Sequence, residues 1–112
     1  MPRYFLLDAS GSMSTVQCAR ALEVLRSRYQ PGDRVIVFDH KAVLLEPDAP
    51  IDVDLYALSR NMVGIGGTDL QAAVDLMLTS ANGLLVESIL ITDEFCPGVG
   101  DHSFREIYEV QP

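Results

Sequence analysis

Asp8-Ala9-Ser10-Gly11-Ser12-Met13 follows directly on an apolar run, Tyr4-Phe5-Leu6-Leu7. A short unbroken apolar run that stops at a polar turn reads as a buried strand. Beyond the stretch, from about Thr15 to Tyr29, the apolar residues Cys18, Leu22, Leu25 and Tyr29 recur at helical spacing. The stretch therefore reads as a surface turn between a strand and a helix, carrying one carboxylate and two hydroxyls. In open α/β sheets that turn is where ligands bind. Its donors are all oxygen, the type that hard cations such as Mg²⁺ prefer. A serine here also has a plainer use, since Ser12 or Ser14 can cap the helix that follows. A cap explains one serine and leaves the carboxylate unexplained.

Outward from this turn the pattern is strand and helix in alternation. Gln17, Arg20, Glu23 and Ser27 fall on the wetter side of the first helix, which Pro31-Gly32 stops. Arg34 to Asp39 is apolar through Val35-Ile36-Val37-Phe38, as a strand buried on both faces reads. His40-Lys41 makes a tight turn, with His40 solvated, and Ala42 to Glu46 returns as a strand. That return is antiparallel, because the connection is too short for a crossover. Pro47-Asp48-Ala49-Pro50 is a turn, and Asp52 caps a short helix to about Arg60 with Val53, Tyr56 and Ala57 inward. The glycine-rich loop from Asn61 to Gly67 is no phosphate loop: no Gly-Lys-Ser/Thr follows and no strand precedes it. A helix over about Asp69 to Ala81 carries Leu70, Ala73, Val74 and Met77 on its buried stripe and ends at Asn82-Gly83. Glu87 to Asp93 is a strand that again ends in an acid. Glu94 to Ser103 is a loop, with His102 merely part of it, and Phe104 to Val110 is a final strand. Right-handed crossovers running in opposite directions from the first strand set Asp8 and Asp93 at neighbouring carboxyl ends.

Asp8-x-Ser10-x-Ser12, the Thr68 of Gly66-Gly67-Thr68-Asp69-Leu70, and the Asp93 of Ile89-Leu90-Ile91-Thr92-Asp93 come in order, each at an element end. Together they resemble the von Willebrand factor A domain and its metal-ion-dependent adhesion site, over about Arg3 to Asp93. The resemblance implies a Rossmann-like, doubly wound, mostly parallel α/β sheet with one antiparallel edge strand. It implies Mg²⁺ or Mn²⁺ held by Asp8, Ser10, Ser12, Thr68 and Asp93, with a coordination position left for an Asp or Glu of a protein partner. In such domains the serines bind directly, the threonine directly or through water, and the two acids largely through water. Gly11, Met13, Gly67, Asp69 and Glu94 would form the rim that meets the partner. Intracellular relatives often work beside ring-shaped AAA ATPases of the MoxR or magnesium-chelatase type. Two departures stand out. Glu94 follows the last acid where the family often has a small residue; it is expected to face away from the ion and add negative charge to the rim. The sequence also ends soon after Asp93, so the fold is expected to be a shortened one, with the edge at Phe104–Val110 free to recruit a partner or a second copy.

Composition bounds the rest. With 112 residues the chain has room for one domain, and 48% apolar content supports a real core. The net charge is −8, and Lys41 is the one lysine among 8 basic residues. Such a surface disfavours nucleic acid and anionic membrane and favours cations or a basic partner. There is no secretory or membrane-spanning segment, and Cys18 and Cys96 read as reduced thiols, so the expected setting is the cytoplasm. No enzyme is expected. A haloacid dehalogenase-type phosphohydrolase also ends its first strand in Asp, yet it needs an acid at Ser10 and a late lysine. The remaining alternative is a structural subunit that keeps the fold and binds no ion.

Overall fold

The computed structural model describes residues 2–9, 14–39, 41–45, 69–93 and 104–110. In chain order its elements are β1 (Arg3–Asp8), α1 (Thr15–Arg28), β2 (Arg34–Phe38), β3 (Ala42–Leu44), α2 (Leu70–Ala81), β4 (Glu87–Thr92) and β5 (Glu106–Glu109). The expected short helix after Asp52, the turn at His40, the glycine-rich loop and the segment holding Cys96 and His102 lie outside the described residues.

The strands form one sheet in the order β3-β2-β1-β4-β5. β1 lies parallel to both β2 and β4, β4 is parallel to β5, and β3 is antiparallel to β2 at the edge. This is the doubly wound, mostly parallel α/β sheet with an antiparallel edge strand that the sequence predicts. The parallel run of β5 adds a detail the alternation of Phe104–Val110 did not contain.

Period-two alternation divides the core into two layers. Phe5 and Leu7, Val35 and Val37, Ile89 and Ile91 pack under α1 with Cys18, Ala21, Leu22 and Leu25. Tyr4 and Leu6, Ile36 and Phe38, and Leu90 pack against Leu70, Ala73, Val74, Met77 and Ala81 of α2. The central strands are apolar on both faces because a helix covers each. The helices lie on opposite faces, as right-handed crossovers to the two sides of β1 require. The strand order therefore reverses at the boundary between β1 and β4.

The helix ends are built by local chemistry. Ser14 caps α1: the Gln17 backbone N–H donates to its Oγ at 3.1 Å, and the Ser14 N–H donates to Gln17 Oε1 at 3.0 Å. This is a capping box. Gln17 corrects the expectation that it faces water. It is buried, and its Nε2 donates to the Val110 carbonyl at 3.2 Å, tying the start of α1 to the residue after β5. Tyr29, read as the last residue of the buried stripe, caps the helix carboxyl end in extended backbone and is partly buried against the core. α2 ends at Asn82 and Gly83 with φ of 53° and 81°, the left-handed region that suits this pair. No helix among the described residues is long and apolar enough to cross a membrane.

Candidate metal centre

At the carboxyl end of the sheet the polar residues begin where the apolar strands stop. The register Leu7↔Ile91 makes Asp8 the lateral neighbour of Thr92, and alternation sets both on the face that carries Leu6 and Leu90. Thr92 Oγ1 donates to Asp8 Oδ2 at 2.6 Å, both side chains being buried. Asp8 is 0% exposed, which corrects the picture of a surface turn. It is the last residue of β1, and the following N–H, of Ala9, still donates to the Phe38 carbonyl of β2 at 2.7 Å. A buried carboxylate requires donors around it, and the threonine hydroxyl is one. Asp93 follows Thr92 and is half-buried.

A further acid closes β2. Asp39 is 0% exposed; its Oδ1 accepts the Lys41 N–H at 2.8 Å, and its own N–H donates to the Lys41 carbonyl at 2.8 Å. Its carbonyl accepts the N–H of Asp69 at 2.6 Å. Asp69 then caps α2, its Oδ1 accepting the Ala72 N–H at 3.0 Å, while the residue stays exposed. Asp69, expected from sequence to be part of a partner-binding rim, has a structural task here, as the cap of α2. Thr68 immediately precedes this anchored residue.

Of the residues predicted to form the site, Asp8 and Asp93 come to the ends of neighbouring parallel strands. Ser10, Gly11, Ser12, Met13, Gly67, Thr68 and Glu94 lie outside the described residues. Among the described residues no group of three or more His, Cys, Asp or Glu side chains is arranged to hold a metal ion. The polar side-chain atoms at this end, from Asp8, Thr92, Asp93, Asp39 and Asp69, are all oxygen, the donor type that hard cations prefer. Sequence reasoning passed over Asp39 and Thr92. Asp39 carried the same signal as Asp8 and Asp93, an acid closing an apolar strand. Thr92 carried none until the register of β1 and β4 brought it to Asp8.

No family model matches the chain, and no curated protein matches it. Among solved structures it is similar to an aerotolerance-related membrane protein from Bacteroides fragilis NCTC 9343, crystallised with multiple mutations to serines. The identity is 23% and the TM-score 0.47, and the match covers 88% of this chain and 57% of that one. This chain thus spans less than two thirds of that protein, and a likeness at this level adds nothing to the reading of the site.

Proposed function

We propose that this chain is a von Willebrand factor A-type module that binds Mg²⁺ or Mn²⁺ at the carboxyl end of its sheet and uses the ion to hold an acidic side chain of a protein partner. The observation that supports this most is the buried Asp8 carboxylate at the end of β1, beside the β4 end that carries Asp93, at the boundary where the strand order reverses. Asp8, Ser10, Ser12, Thr68 and Asp93 would hold the ion. When bound, it supplies a Lewis-acidic position for a carboxylate from outside. The residues of this chain anchor the strands and helices around it: Ala9 to β2, Ser14 at the start of α1, and Asp69 to Asp39. The proposed setting is intracellular, with a ring-shaped AAA ATPase as the class of partner that the resemblance suggests. The module performs no hydrolysis of its own in this reading.

Calorimetric titration with Mg²⁺ tests the reading. Wild type should bind and Asp8→Ala should not. Because Asp8 is buried, Asp8→Ala also removes the bond from the Thr92 hydroxyl, at a cost of about 1–3 kcal/mol in stability. Asp8→Asn keeps an acceptor there and serves as the folded companion. Equal titrations by wild type and both variants would refute the site, and metal-dependent turnover of a phosphate ester would refute the non-enzymatic reading.

A further inference from the structure

Thr92 was singled out neither by the motif nor by the function proposed above. Yet it makes a buried side-chain bond to the first acid of the site across 84 residues of sequence, at 2.6 Å. It is 2% exposed, lies on the strand next to Asp8, and shares the same sheet face. We propose that Thr92 is the positioning residue of the metal site. Its hydroxyl engages Asp8 Oδ2 and fixes the plane and rotamer of the carboxylate. Asp8 then meets the ion, or a water on it, through one oxygen in a set direction.

The inference rests on the reading of a divalent site at Asp8 and adds a selectivity to it. Mg²⁺ demands near-octahedral geometry, whereas Ca²⁺ accepts either one or both oxygens of a carboxylate in a flexible shell. A carboxylate locked by Thr92 suits the smaller ion. A carboxylate released from Thr92 can turn both oxygens towards a metal and suits the larger one. Groups that orient metal ligands in this way typically alter metal affinity by about 10–100-fold when removed.

The test is titration of Mg²⁺ and, separately, Ca²⁺ into wild type, Thr92→Val and Thr92→Ser, with the metal-free melting temperature of each recorded. Thr92→Val should weaken Mg²⁺ by about 10–100-fold and Ca²⁺ by distinctly less, so that the ratio of the two affinities shifts. Thr92→Ser keeps the hydroxyl and should restore both the Mg²⁺ affinity and the ratio. Should Thr92→Val fail to fold, Thr92→Ala carries the same comparison. Wild-type Mg²⁺ affinity in the variant lacking the hydroxyl would overturn the proposal, as would a parallel loss of both ions that tracks the melting temperature and is not rescued by serine. A wild type that titrates like Asp8→Ala would instead sink the metal site itself, and with it this inference.

Discussion

The two ends of the sheet treat their acids differently. At the amino end, acids meet arginines. Arg3 donates to Asp33 through Nε at 3.1 Å and Nη2 at 2.6 Å, and also reaches the Arg28 carbonyl. Arg28 pairs with Glu106 and Tyr108, and Arg105 with Glu87 at 2.8 Å. The hydrogen bond to Glu106 holds the Arg28 guanidinium above its ordinary value. At the carboxyl end, the bonds among the described residues bring neutral donors to the acids. Asp8 accepts a threonine hydroxyl, Asp39 the N–H of Lys41, and Asp69 the N–H of Ala72. An arginine neutralises a carboxylate and so ends its chemistry. A hydroxyl or an amide N–H orients a carboxylate without itself carrying a positive charge. Among the described residues the amino end is thus fastened by ion pairs, and the carboxyl end is the pole proposed above to be receptive.

This contrast can be broken most forcefully at Asp8. Asp8→Ala should reduce Mg²⁺ binding below detection in calorimetry, while the far-ultraviolet circular dichroism retains its mixed α/β form. The opposite substitution is made at the amino end. Arg3→Met removes the fork on Asp33, which is almost buried, and should cost about 1.5–3 kcal/mol by denaturant unfolding. Mg²⁺ affinity should not follow it. Loss of Mg²⁺ binding in folded Arg3→Met would mean that the two ends are not separate in function.

Two smaller effects sharpen the boundary of the receptive pole. Ser14 caps α1 and is not assigned to the ion, so Ser14→Ala should lower stability by about 1 kcal/mol and leave the metal titration unchanged. Ser12→Ala should do the reverse. The smallest effect is expected at Glu94, which is proposed to face outward on the rim. Glu94→Gln should leave Mg²⁺ affinity nearly unchanged and weaken association with a basic-rimmed partner, most visibly at low salt. A large fall in metal affinity would make Glu94 a ligand.

Much of the frame was legible because local patterns and tertiary demands agree. Tyr4-Phe5-Leu6-Leu7 is apolar on both faces, and helices cover both faces of β1. The Asn82-Gly83 pair stops α2 in left-handed backbone. Acids at the ends of apolar strands marked the carboxyl end. What escaped the sequence depends on partners far along the chain. Gln17 is polar and was set towards water, yet Ser14 and the Val110 carbonyl satisfy its amide inside. The strand–turn–helix pattern reads Asp8 onto a surface turn, yet Asp8 is the buried end of β1 and Thr92 helps to hold it there. The parallel direction of β5 comes from its pairing with β4, which its own alternation does not encode.

The central claim is that the ion sits at the carboxyl end and not among the acids of the amino end. Substoichiometric Mn²⁺ added to ¹⁵N-labelled protein tests it directly, because the paramagnetic ion broadens nearby amide signals. The account predicts selective broadening at Ala9, Asp39, Asp69 and Asp93, with Arg3, Glu87 and Arg105 spared, and reversal of the effect by excess Mg²⁺. Uniform weak broadening, or broadening centred on Asp33, Glu87 and Glu106, would contradict it.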